Sequence, residues 1–195
     1  MTLAAPTRDK TYDDYLAVPE GTRAELIDGV LYMSPQPKGR HVGFASRLGA
    51  QIGHAFGLTP GPTNRGPGGW WILDEPECHL VALRRVVIPD IAGWQREKMP
   101  TVPRDDHKFL IVPDWVCKVL SPGTRGRDYI VKMPAYLEAG VKWLWMVEPV
   151  DRRIDVYRAH EGAWVEAGGF EGDVVVRLPP FEEVTVDLSL AWTDA

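Results

Sequence analysis

The chain has only two cysteines in 195 residues, Cys78 and Cys117. They form no Cys-x-x-Cys pair and lie in apolar sequence, so a disulfide-stapled fold is not expected. A reduced, cytoplasmic chain fits best, with one disulfide as the alternative. No run approaches the ~20 apolar residues of a membrane span. Met1 to Lys10 carries no apolar stretch followed by a cleavage site and reads as a flexible start rather than a signal peptide. A basic excess is also missing. With 22 Lys+Arg against 27 Asp+Glu, the net charge of -5 argues against attachment to nucleic acid by bulk charge.

Several catalytic signatures are absent too. Gly66-Pro67-Gly68-Gly69 is no phosphate loop, because Pro67 lacks the amide that would bind phosphate. There is no Gly-x-Ser-x-Gly elbow. The five histidines show no zinc-ligand spacing, and Cys78-His79 reads as a buried thiol beside a strand-edge histidine.

What is present is ordinary globular composition, 45% hydrophobic and 25% charged, without internal repeat or linker; this predicts one domain over residues 11–190. Eight tryptophans promise either a well-filled core or aromatic binding surfaces. Thr11 to Val18 predicts a short helix capped by Thr11, and Asp28-Gly29 predicts a tight hairpin turn between Glu25 and Met33. His41 to Phe56 predicts a longer helix, with Val42, Ala45, Leu48, Ile52 and Phe56 on its apolar face. Gly49 and Gly53 within it call for a close neighbour. The Gly- and Pro-rich stretch 57–69 predicts a loop. Strands are expected at 70–73, 86–92 and 115–120, a second helix at about 127–139 ending at Gly140, and a doubly buried strand at 141–147. Short antiparallel strands should complete the chain at 154–157, 164–167, 174–178 and 184–188.

Three segments interrupt apolar strands with charge: Asp90 in Val86 to Ala92, Lys118 in Trp115 to Leu120, and Glu25 before Leu26-Ile27. Ions in a low-dielectric interior need partners or a metal, so the three point to one shared polar site. The competing readings are a strand end for Asp90, an exposed face for Glu25, and a Lys118 reaching water along its stem. Alternation puts Asp114, Val116, Lys118 and Leu120 on one strand face, and Asp90 is the first candidate partner of Lys118. Asp128, Lys132 and Tyr136 lie on one side of the second helix; Lys132 either joins the site or makes an ordinary surface ion pair with Asp128. Arg84, Arg85, Arg96, Lys98, Arg125, Arg127 and Lys132 are the candidates for a local basic groove.

The segments Arg23-Ala24-Glu25-Leu26-Ile27-Asp28-Gly29, Met33-Ser34-Pro35, His41, Pro89-Asp90, Pro113-Asp114-Trp115-Val116, Val119-Leu120-Ser121-Pro122 and Asp128 to Lys132 to Tyr136, ending in Gly140-Val141, resemble the Uma2 (DUF820) family, as does the tryptophan-rich run around Trp70 and Trp71. The resemblance covers about residues 11–190. It implies the restriction-endonuclease-like fold of the PD-(D/E)XK nucleases: an α/β (α+β) core of mixed sheet flanked by helices, with extra C-terminal strands. It further implies Mg²⁺- or Mn²⁺-dependent hydrolysis of DNA. Asp90 would be a metal ligand, Glu25 a further carboxylate of the site, and Lys132 a catalytic lysine displaced onto the helix. The chain departs from the family at the centre of the pattern, where Lys118 replaces the metal-ligand glutamate; Gly123 stands in place of the usual serine.

Two functions follow from the resemblance. One is a metal-dependent endonuclease weakened by Lys118, with a homodimer expected by analogy with restriction enzymes. The other is a catalytically silent relative that binds nucleic acid or a protein partner. An unrelated small-molecule enzyme has no motif in its favour.

Overall fold

Local chemistry sets the first elements of the chain, whose computed structural model describes residues 9–34, 36–58 and 66–192. Pro35, residues 59–65 of the expected loop and most of the expected flexible start lie outside them. Helix α1 (Tyr12–Leu16) opens on a reciprocal cap: the Asp14 amide donates to the Thr11 hydroxyl and the Thr11 amide to the Asp14 carboxylate. Strands β1 (Ala24–Ile27) and β2 (Val30–Met33) form the expected hairpin. Both turn residues have positive φ (Asp28 51°, Gly29 73°), as a two-residue primed turn requires.

Helix α2 (Gly39–Ile52) continues through a wider turn at Gly53–Gly57. It buries Phe44, Leu48, Ile52 and Phe56, while Val42 is exposed; the apolar stripe therefore begins at Phe44 and not at the expected Val42. A Cβ at Gly49 would lie 3.0 Å from the Asp74 carboxylate, which explains that glycine; among the described residues, nothing lies within 4 Å of a Cβ at Gly53.

Strands β3 (Trp70–Asp74), β4 (Glu77–Leu80), β5 (Arg85–Val87), β6 (Ile91–Gln95), β7 (Lys108–Phe109) and β8 (Trp115–Val119) follow. The second helical region is α3 (Arg125–Arg127), a wide turn Asp128–Lys132 and α4 (Met133–Ala139), closed by Gly140 at φ 91°. Then come β9 (Trp143–Glu148), β10 (Arg153–His160), β11 (Ala163–Glu171), β12 (Val175–Val176), β13 (Val186–Asp187) and α5 (Leu188–Ala191). One sheet has the order β2-β1-β5-β4-β7 and the other β11-β10-β9-β8-β6-β3; β12 and β13 pair separately. β8 and β9 run parallel within a mostly antiparallel sheet, so the class is mixed, as expected.

The expectation of one strand over 86–92 is corrected. The chain leaves β5 at Val87 and enters β6, in the other sheet, at Ile91. Ile88-Pro89-Asp90 is the crossover, and Pro89 has no amide to offer a ladder. The Asp90 amide donates to the Cys117 carbonyl at 3.2 Å and its carbonyl accepts from Glu75 at 3.1 Å. Asp90 is thereby fixed where the two sheets meet.

The six-stranded sheet is covered on both faces. Trp115, Cys117, Val119 and Trp145 pack with Phe44, Leu48, Ile52 and Phe181 on one side. Val116, Leu120, Leu144 and Met146 pack with Ile27, Leu80, Val87 and α4 on the other. The tryptophans chiefly fill this core: Phe181 lies within 5.8 Å, ring centre to ring centre, of Trp70, Trp115 and Trp145. Among the described residues, no helix is long and apolar enough to cross a membrane.

Candidate functional site

Strand alternation turns Lys118 to the second face of β8 with Val116 and Leu120, toward the β1–β2 sheet and the second helical region. Glu25 comes to this place from β1, Asp90 from the crossover, and Asp128 and Lys132 from the wide turn between α3 and α4. All five are buried, with Glu25 and Lys132 at 2% and Asp90 at 1% exposure. The surface-ion-pair alternative for Asp128 and Lys132 is therefore overturned: both side chains are inside the protein.

The contacts are close. Lys118 Nζ donates to Asp90 Oδ2 at 2.7 Å, and the Val119 amide donates to the same oxygen at 2.6 Å. His41 Nε2 lies 2.9 Å from Asp90 Oδ1, and the Arg23 guanidinium 3.7 Å from it. Glu25 receives the Ile88 amide at 3.0 Å on one oxygen and Lys132 Nζ at 2.5 Å on the other. Lys132 also lies 3.3 Å from Asp128 Oδ1, and Asp128 accepts from the Thr124 hydroxyl, itself paired with Ser121.

Burial alone would push the Asp90 carboxyl up, but the Lys118 charge and the His41 hydrogen bond outweigh it and hold Asp90 well below the ordinary carboxylate range. Burial alone would likewise depress Lys118; the charges of Asp90, Asp128 and Glu25 raise it instead, so it stays an ammonium. The Tyr136 hydroxyl, buried without a hydrogen-bond partner among the described residues, is pushed far above its usual range by burial and by the surrounding carboxylates.

Glu25, His41, Asp90, Lys118 and Lys132 line a cleft of about 630 Å³. Among the described residues its lining contains Arg23, Lys38, Arg40, Lys118, Arg127 and Lys132, against only Glu25 and Asp90 as carboxylates. The local sign is thus opposite to that of the whole chain. Of the basic residues proposed for a groove, Arg127 and Lys132 line the cleft; Arg85 pairs instead with Asp28 and Glu138, and Arg96 lies over Trp71. Asp114 is a structural anchor, held between Lys98 and Lys142.

A divalent ion does not fit the residues present. Mg²⁺ needs oxygen ligands at about 2.0–2.1 Å in near-octahedral array. Both oxygens of Asp90 and both of Glu25 are already engaged by ammonium, amide or imidazole groups. The Lys118 ammonium stands against the carboxylate that would bind the ion.

The structure also shows groups that sequence reasoning missed. His41 and Arg23 belong to the quoted motifs, but no spacing rule ties them to Asp90. His79, expected at a strand edge, is fully buried on β4, which lies between β5 and β7. Its alternation with Glu77 was the available signal, since i and i+2 share a strand face.

No curated protein matches the chain. A crystal structure described as "a putative nuclease belonging to DUF820" from Anabaena variabilis ATCC 29413 matches 93% of this chain and 97% of its own, at 24% identity and a TM-score of 0.71. At that identity the likeness shows the fold, which is nuclease-like. The model of the family described as "Uma2: Putative restriction endonuclease" matches residues 11–191. By that match the chain belongs to the Uma2 family.

Proposed function

We propose that this chain is a DNA-binding member of its nuclease-like family in which the Lys118 ammonium takes the place of the divalent cation, so that metal-dependent cleavage is lost. The observation that carries this reading is the 2.7 Å contact between Lys118 Nζ and Asp90 Oδ2 at the floor of a cationic cleft. A polyanion suits the walls, because Arg127 and Lys38 line them. The family description supports DNA as the polyanion.

Within this reading Glu25 and Lys132 are structural partners of one another rather than metal ligand and catalytic lysine. The endonuclease reading keeps Asp90 and Glu25 on Mg²⁺ or Mn²⁺ and Lys132 beside the attacking water. It requires Lys118 to leave Asp90.

Fluorescence anisotropy with a labelled DNA duplex, beside a cleavage assay in Mg²⁺ and Mn²⁺, separates the two. The expected result is salt-sensitive binding without cleavage. Lys38→Ala with Arg127→Ala should weaken binding and flatten the dependence of log K on log salt by about 0.9 for each phosphate that is no longer neutralised. Absence of binding at low salt, or cleavage by the unmodified chain that Asp90→Ala abolishes, refutes the proposal.

A further inference from the structure

Away from the cleft, Glu77 and His79 project from one face of β4 and meet His107, just before β7. Glu77 Oε1 lies 2.6 Å from His79 Nε2 and 3.5 Å from His107 Nε2, and one ligand atom from each residue falls within 4.8 Å of the others. From this convergence we infer that Glu77, His79 and His107 form a metal site, independent of the cleft, for a divalent ion of the zinc class, with two imidazoles and one carboxylate as ligands.

The donor set matches the chemistry. Tetrahedral zinc takes His nitrogen at about 2.0–2.1 Å and carboxylate oxygen at about 2.0–2.2 Å, which places neighbouring donors roughly 3.3 Å apart. The Glu77–His107 separation of 3.5 Å is already near that value. The shorter Glu77–His79 contact is a hydrogen bond that opens by less than ~1 Å when an ion enters.

Outer contacts also suit a metal. The Tyr12 hydroxyl lies 2.7 Å from His79 Nδ1. A hydroxyl both donates and accepts, so it donates to Nδ1 when Nε2 carries the proton and accepts from Nδ1–H when Nε2 is free for an ion. The Tyr15 ring lies edge-on to the His79 ring, with 5.8 Å between ring centres.

The site is closed on one side and open on the other. His79 is fully buried, whereas His107 is 71% exposed in its side chain. Glu77 and His107 also line a cavity of about 400 Å³ together with Asp74 and Glu75. Three protein ligands would leave a fourth position for water facing this acidic cavity. Bound metal would tie β4 to the segment before β7 and, through Tyr12 and Tyr15, to α1.

The test is a calorimetric titration of the full chain with Zn²⁺, beside a Co²⁺ titration read by visible absorption. One equivalent bound, with the intense bands of tetrahedral Co²⁺, is the expected result. His107→Ala, at an exposed position that the fold does not need, should abolish both signals and leave the circular dichroism unchanged. Tyr12→Phe should weaken binding by about 10–100-fold. Asp90→Asn, in the cleft, should leave it intact. No binding, binding that survives His107→Ala, or binding lost on Asp90→Asn overturns the inference.

Discussion

Replacing Lys118 by glutamate gives the sharpest test of how charge is arranged in the cleft. The buried set of Glu25, Asp90, Asp128, Lys118 and Lys132 holds three carboxylates and two ammonium groups, a net of -1. Lys118→Gln makes it -2 and Lys118→Glu -3. At ~4 Å and an effective dielectric of ~20, one charge pair is of order 4 kcal/mol, so exchanging attraction for repulsion at Asp90 is a swing of about 8 kcal/mol before relaxation. Relaxation and water entry should reduce the loss of stability to the roughly 3–5 kcal/mol typical of a broken buried pair. Mn²⁺ should recover much of it. At about one hundred times its dissociation constant the ion contributes about 2.7 kcal/mol. For a chain of this size that raises Tm by about 5–10 °C. Calorimetry and thermal melts with Mn²⁺, in a His107→Ala background that removes the other candidate site, should show affinity rising in the order Lys118, Lys118→Gln, Lys118→Glu. The glutamine variant keeps an amide donor for Asp90, so the trend remains measurable if the glutamate variant is poorly folded without metal. Equal Mn²⁺ affinity across the series, or tight binding by the unmodified chain that Asp90→Ala abolishes, refutes the reasoning.

Removing either partner of the Glu25–Lys132 pair, as Glu25→Gln or Lys132→Met, should cost about 3–5 kcal/mol in urea unfolding, and the double variant should recover a large part of that; additive losses would show that the pair is not coupled. Because Asp90 is held below its unfolded value of about 3.9, its contribution is complete above that value and disappears as pH falls through the lower folded value. Unfolding free energy between pH 6 and 3 should therefore fall less steeply in Asp90→Asn/Lys118→Met than in the unmodified chain, and an equal slope would contradict the assigned cause.

Much of this site was legible because its residues break strong local rules. Lys118 occupies a position on β8 where alternation demands an apolar residue, and the structure supplies the carboxylate that such a lysine needs. Asp90 stands out for the same reason, but its setting does not. A run of seven residues that is apolar except for Asp90 is compatible with one strand, and only the packing of two sheets decides that Pro89 marks a crossing between them. The hairpin and helix ends were readable because Thr11, Asp28-Gly29 and Gly140 act through local backbone chemistry. Lys132 was ambiguous for a complementary reason. An i, i+4 spacing from Asp128 is the same on an exposed helix as on one pressed against a sheet, so burial had to come from β1. His107 left no signal at all, since its approach to Glu77 depends on how the segment after β6 returns to the edge of β4.

Why the fold tolerates a lysine at position 118 follows from the charge balance. The crossover, β1 and the second helical region bring Asp90, Glu25 and Asp128 into one desolvated space whatever occupies the middle of β8. Three ionised carboxylates in that space require compensating positive charge, and Lys132 supplies only one unit. A divalent ion is one source of the rest; an ammonium on the adjacent strand is another, and it is covalently attached and present at any metal concentration. With Lys118 in place the residual charge is small, and the Arg23 guanidinium, 3.7 Å from Asp90 Oδ1, offsets it further. On the proposed reading, the ammonium at position 118 would balance this charge in place of the ion on which hydrolysis depends, while the cationic walls that would hold a DNA backbone remain. Binding and cleavage would, on that reading, be separable by a single side chain.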